Sequence, residues 1–244
     1  MSIRPKILLA SAVTLLAAGI AAWQYLTPGS YSPVTLPRQS YPVRGVDISA
    51  HNGDIDFDAL AADSIDFVII KATEGTSFKD SRFQHNHLAA TRAGLKVGAY
   101  HFFRFDTPGY TQALNLLHSV RGRHLDLPLV VDIEEWTNPT DRTTPMIVRQ
   151  LRQFIDILER NGHTVMLYSN KDGHARFIRD NFGNYPLWLC SFTGEPEGQW
   201  RLWQYTHRGT LAGTQSALDI NVFNGTRDEW QSWITTPTIK GNQE

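Results

Sequence analysis

Leu127-Pro128-Leu129-Val130-Val131-Asp132-Ile133-Glu134-Glu135-Trp136 is the stretch on which the fold turns. An apolar run of strand length delivers two carboxylates at its C-terminal end. Side chains alternate across a strand, so Asp132 and Glu134 face one side with Cα atoms about 6–7 Å apart. Like charges that close raise one of the two pKa values and leave a protonated acid near neutral pH. An isolated Asp-x-Glu more often ends a strand in acids that are solvated or paired with lysine or arginine. The surrounding chain therefore has to decide.

On either side of this run, short apolar strands recur at Gly45–Ser49, Asp66–Lys71, Lys96–Phe102, Thr164–Ser169, Pro186–Phe192, Arg201–Thr206 and Ala217–Val222. Helical patterns separate the early ones. Ser81–Ala93 stops at Gly94, and Thr107-Pro108 and Thr144-Pro145 open two more, with threonine expected to cap and proline to take the first turn. The second of these runs to Arg160 with a stripe of Ile147, Leu151, Phe154, Ile155 and Leu158. Lys171–Asn181 reads as a shorter helix. Alternating strands and helices imply parallel pairing through crossover helices. After about residue 183 no room remains for long helices. The pattern is that of an α/β protein with a modified βα barrel, and an open doubly wound sheet is the alternative. In a barrel, chemistry gathers at the C-terminal ends of the strands.

Two further strands carry acids to that end: Asp47 in Gly45-Val46-Asp47-Ile48-Ser49 and Asp219 in Leu218-Asp219-Ile220-Asn221-Val222-Phe223. Charges inside an apolar barrel are costly unless paired or functional. The structural alternative is that these two cap loops or bind a lysine such as Lys71. Aromatic residues collect at the same ends, in Tyr100-His101-Phe102-Phe103, Tyr168-Ser169-Asn170, Trp188 and Trp203-Gln204-Tyr205-Thr206. Rings beside carboxylates suit a carbohydrate, whose C–H faces stack while its hydroxyls are hydrogen-bonded.

The chain has 244 residues and a net charge of −1, with no basic run after residue 6, which argues against a nucleic-acid surface. Cys190, the single cysteine, excludes an intrachain disulfide and a cysteine-based zinc site and is expected to be a packing residue. Arg4 and Lys6 precede an uncharged stretch, Ile7–Leu26, of a length that spans a bilayer. Residues 1–26 thus read as a signal anchor or a signal peptide. Gly19-Ile20-Ala21 offers a cleavage site, whereas Trp23 and Tyr25 suit the far interface of an uncleaved anchor. Either places the rest of the chain outside the cytoplasm. Residues 27–43, with four prolines, read as a linker, residues 44–235 as one domain acting as a monomer, and 236–244 as a tail.

Arg44-Gly45-Val46-Asp47-Ile48-Ser49, Ile69-Ile70-Lys71-Ala72-Thr73-Glu74-Gly75, Gly98-Ala99-Tyr100-His101-Phe102-Phe103, Asp132-Ile133-Glu134, Trp203-Gln204-Tyr205-Thr206 and Asp219-Ile220-Asn221-Val222-Phe223 come in this order. This series resembles the glycoside hydrolase family 25 lysozymes, the Chalaropsis-type muramidases, over about residues 43–233. The resemblance implies a (β/α)5β3 barrel that cleaves the β-1,4 bond between N-acetylmuramic acid and N-acetylglucosamine in peptidoglycan glycan strands. It makes Glu134 the general acid, Asp132 its partner, and Asp47 and Asp219 the other acids of the cleft. Tyr100, Tyr168, Trp188 and Gln204 fall where the family lines its groove. Retention is expected, with the anomeric carbon captured by Asp132 or by the substrate's own 2-acetamido oxygen. No cofactor is implied. A metal-dependent hydrolase is one rival, since four acids with His51 and His101 suit a divalent cation. His85 and His87 do not add to it, being two apart in a helical pattern. The other rival is a wall-binding module that kept the groove without the chemistry.

Overall fold

The computed structural model describes residues 36–235. The signal-anchor or signal-peptide reading of 1–26, the first part of the linker and the tail at 236–244 lie outside the described residues. Among the described residues no helix is long and apolar enough to cross a membrane. Residues 36–43 pack: Val43 is fully buried, and the Tyr41 ring sits 5.9 Å from Trp203 and 6.1 Å from Trp200.

Nine strands form one sheet: β1 (Arg44–Ile48), β2 (Phe67–Glu74), β3 (Phe78–Lys79), β4 (Lys96–Phe102), β5 (Leu129–Asp132), β6 (Val165–Asn170), β7 (Leu187–Cys190), β8 (Leu202–Gly209) and β9 (Leu218–Phe223). Their order is β1-β9-β8-β7-β6-β5-β4-β2-β3, and β1 also pairs with β2. That pairing closes an eight-stranded barrel with β3 as an appendix, which rules out the open sheet. Neighbours from β1 through β2 and β4 to β8 run parallel, and only β9 runs against both of its neighbours.

Helices α1 (Phe57–Ala62), α2 (Phe83–Arg92), α3 (Gly109–Val120) and α4 (Thr144–Arg160) cross between the first strands. The fifth crossover is a helical turn, Lys171–Gly173, continued by a π-helix at His174–Ile178. Five strand–helix units followed by three strands make the (β/α)5β3 arrangement. A final helix, α5 (Arg227–Thr235), lies beyond β9 and has no counterpart in the sequence reading; neither has α1, six residues capped by the Asp56 carboxylate.

Threonine capping is not what the structure shows. α3 begins at Gly109 with Pro108 as its cap residue and no side-chain capping bond. Its first N–H groups instead donate to Gln150 and Gln153 of α4. The helices meet so closely there that a Cβ on Gly109 would lie 1.9 Å from the Gln150 carbonyl oxygen. Thr144 uses its hydroxyl to accept a bond from Arg176 Nε. At α3 a tertiary partner thus serves the helix end in place of the local residue, while at α4 the cap position falls on Thr143, with no side-chain bond.

Apolar residues sort into two shells by the period-two alternation of the strands. Leu129, Val131 and Ile133 belong to the outer shell beneath the helices, together with Val46, Ile48 and the α4 stripe Ile147, Leu151, Phe154, Ile155 and Leu158. Val130 belongs to the inner shell with Phe67, Ile69, Met166, Leu202 and Phe223. This inner plug fills the barrel and forms the floor on which the polar layer rests.

Candidate active site

The same alternation turns the acids inward. Asp132 follows Val130 on the inner face of β5, and Glu134 continues that side beyond the strand. Asp47 lies two residues after Gly45, whose Cβ would strike the inner-shell ring of Phe67. Asp219 lies two residues before Asn221 and four before Phe223. Because β9 runs antiparallel, its beginning lies at the end of the barrel where the other strands finish. Asp47 and Asp219 are direct cross-strand partners. Closure of the barrel makes the first and last strands neighbours.

A buried network surrounds Asp47. Its Oδ2 accepts bonds from Gln204 Nε2 at 2.9 Å and Asn221 Nδ2 at 2.8 Å. Tyr168 donates its hydroxyl to Gln204 Oε1, and Trp188 donates Nε1–H to Asn221 Oδ1. Trp188 and Gln204 are 2% and 4% exposed, so most of what they offer is spent inside this network. Tyr100, on β4 beside Lys71, is partly exposed; burial and the charge of Asp47 raise its hydroxyl pKa. All eight candidate residues therefore come together in one layer over the inner plug.

The carboxyl groups differ in what they hold. Burial raises Asp47 to about 6 against the pull of its two amide donors. Burial and then the charge of Asp47 raise Asp219 to about 8. Asp132 is raised well above the ordinary range, by burial first and the Glu134 charge second, and its Oδ1 has no protein partner. Burial and then Asp47 raise Glu134 to about 7, while a 3.4 Å bond from Asn170 Nδ2 and the nearby Lys71 oppose the rise. Of the Asp132 and Glu134 pair, Asp132 is the one whose pKa the neighbouring carboxylate raises. At Glu134 the leading charge is Asp47.

Lys71 does not pair with Asp47 or Asp219. Its ammonium donates to Glu74 at 2.7 Å and lies 5.2 and 5.4 Å from the ring centroids of Phe102 and Phe78. His101 points away from the site, into the shell against Phe154. Its ring nitrogens sit 2.7 Å from Thr73 Oγ1 and 3.0 Å from Gln112 Oε1, and burial lowers its pKa to about 4. His87 is buried on α2 with Nε2 on the His124 carbonyl oxygen. No group of three or more His, Cys, Asp or Glu able to hold a metal ion occurs among the described residues. Cys190 is half-buried on β7, where burial pushes its thiol to about 12. Asn221, Asn170 and Lys71 are the working residues that the sequence reading quoted without assigning a role. The period-two spacing Asp219–Asn221 was the available signal for the first. A cleft of about 1200 Å³ lies elsewhere, beside the loops that lead into β6, β7 and β8.

An acid poised near neutrality, a second acid with an unpaired oxygen and an anion gripped by amides suit cleavage of a glycosidic bond. Known proteins agree. A family 25 glycosyl hydrolase from Bacillus anthracis superposes with a TM-score of 0.77 at 33% identity, over 85% of this chain and 99% of that one. The N,O-diacetylmuramidase of a Chalaropsis species is 33% identical over 207 residues, 75% of this chain and 96% of the relative. Lysozyme M1 of Streptomyces globisporus is 30% identical over 212 residues, 78% of this chain and 70% of the relative. Residues 46–214 match the sequence family Glycosyl hydrolases family 25. That match spans β1 to the threshold of β9, most of the barrel that carries the acids, and the chain belongs to this family.

Proposed function

We propose that the protein is a peptidoglycan hydrolase that cleaves the β-1,4 bond between N-acetylmuramic acid and N-acetylglucosamine. The observation that carries the reading is the inward layer of Asp47, Asp132, Glu134 and Asp219, with Glu134 raised to about 7. The names of the lysozyme and muramidase relatives supply the substrate.

Glu134, protonated below its pKa, gives its proton to the glycosidic oxygen and later takes one from the incoming water. The positive charge that develops at the anomeric carbon faces Asp47, held as an anion by Gln204 and Asn221. Asp132 Oδ1 is a buried acceptor without a protein partner, and the substrate's 2-acetamido N–H suits it. That bond would aim the acetamido oxygen at the anomeric carbon and give net retention by substrate assistance. Asp219, raised to about 8 beside Asp47, keeps its proton near neutral pH and leaves the negative charge of the pair on Asp47. Tyr168 and Trp188 act through the network by fixing Gln204 and Asn221, while Tyr100 borders the sugar. A wall substrate requires export, and the basic start followed by Ile7–Leu26 supplies it, as an anchor or as a cleaved signal.

The test is to incubate the chain from residue 40 onward with purified peptidoglycan and identify the fragments by mass spectrometry after borohydride reduction. Fragments ending in reduced N-acetylmuramic acid are expected. Reduced N-acetylglucosamine ends would mean the opposite bond, and no new ends with binding intact would leave a binding module.

A further inference from the structure

Two of the few exposed large apolar side chains are built into one side of the barrel mouth. Trp136, 61% exposed, follows β5 two residues beyond Glu134, and Phe78, 50% exposed, lies on β3 just past the end of β2. Trp136 Cα is thus within about 7.6 Å of Glu134 Cα by chain geometry.

The loop that presents Trp136 is fixed on both sides. Glu135 pairs with Arg176, and Arg104 Nη1 donates to the Thr137 carbonyl oxygen at 2.8 Å. Thr137 itself has φ 58°, a left-handed conformation that a β-branched residue adopts only when its surroundings enforce it. Buried Asn138 enforces it, donating to the carbonyl oxygens of Phe103 and Glu134 and accepting from Phe105 N–H. Phe78 is fixed in a similar way. Asn115 Nδ2 donates to the carbonyl oxygens of Gly75 and Phe78, and the Phe78 ring rests against the Lys71 ammonium. Arg104 ties the two loops together, since it also lies 3.8 Å from Glu74 of β2.

A strained, multiply pinned loop that holds an indole in solvent is a built feature. The cations around it are already matched: Lys71 with Glu74, Arg104 with Glu74 and Asp106, and Arg176 with Glu135. What the rim leaves on offer is two rigid apolar ring faces, which suit the C–H face of an uncharged sugar better than an acidic peptide.

We infer that Trp136, with Phe78 behind it, is a stacking platform for a further pyranose ring of the glycan strand, outside the sugars that flank the scissile bond. The inference rests on the muramidase reading for the identity of the strand. In this platform the fixed backbone of the loop spares the ordering of that segment on binding. Its role is to favour long strands over short ones.

The test compares the unmodified protein with Trp136→Ala, Phe78→Ala and Trp136→Phe on peptide-free glycan strands of graded length. Both KM and, by calorimetry on Glu134→Gln backgrounds, Kd are read. For Trp136→Ala, KM and Kd on octasaccharides should rise about tenfold, ~1.4 kcal/mol, with kcat moving less than twofold. The rise should shrink on tetrasaccharides, be smaller for Phe78→Ala, and be largely repaired in Trp136→Phe. An unchanged KM and Kd at every length overturns the platform. So does a loss confined to strands that carry stem peptides, which would make the peptide the partner. If the unmodified protein releases no ends, the muramidase reading fails, and the Kd series still decides whether Trp136 binds sugar.

Discussion

The β1–β9 side of the mouth and the β5 side both carry an Asp sunk in the barrel, yet they hold it in opposite ways. Asp47 has two amide donors on one oxygen, each anchored by an aromatic side chain, and titrates at about 6. Asp132 has a buried oxygen with no partner and remains protonated well beyond the ordinary range. Burial drives both pKa values up, the Glu134 charge adds to the rise at Asp132, and the amide donors hold Asp47 down. A barrel interior thus makes an electrostatic stabiliser and a proton reserve from one residue type by rationing donors.

Removing the acid that works between the two sides should have the largest effect. Glu134→Gln is expected to lower kcat by about 10²–10⁴, the range of general acid catalysis, while strand binding by calorimetry persists. Near-normal turnover would end the assignment. Next comes the donor supply. Asn221→Ala takes one of the two donors from Asp47 and leaves Trp188 Nε1–H unpaired, at a cost of about 1–3 kcal/mol. Thermal melting should show this as a lower Tm, at about 2–4 °C per kcal/mol for a chain of this size.

A third measurement sharpens the contrast through pH. A carboxyl whose folded pKa lies above its unfolded value gives stability that is full below the unfolded value and is lost as pH rises through the folded one. Asp132→Asn should therefore raise Tm at pH 8, with the gain fading below about pH 4, where both states carry the proton. Asp47→Asn should gain less, because its anion is already hydrogen-bonded. Equal gains would mean that the donors make no difference.

The pH dependence of kcat/KM reads the smallest effect. Its alkaline limb should fall near pH 7 with Glu134 and its acid limb near pH 6 with Asp47. Lys71→Met removes a cation that favours ionised Glu134, so the alkaline limb should move to higher pH. An unmoved limb would show that the Lys71 charge does not reach Glu134.

Much of this arrangement was legible in the chain, and the losses have physical causes. β4 and α4 carry long, unambiguous patterns, and their boundaries at Lys96–Phe102 and Arg160 agree with the reading. β2 runs on to Glu74 past a register shift between Lys71 and Thr73 that alternation cannot foresee. α1 is too short for a helical period to register, and the cap expected at α3 gives way to Gln150 and Gln153, partners far along the chain. Inwardness of the acids followed from period two. The pairing of Asp47 with Asp219 did not, since it depends on ring closure between residues more than 170 positions apart. The Asp47 hold on Glu134 is likewise a property of distances across the barrel, which no local pattern encodes.

That closure bears on when the protein becomes competent. β9 is the last strand made, and it inserts between β1 and β8 with Asp219 and Asn221. Until β9 has joined the sheet, Asp47 lacks one of its two donors and the ring of acids is open. Pairings this distant in sequence also form slowly. The acidic layer is thereby completed only by a strand that inserts between two others already in the sheet.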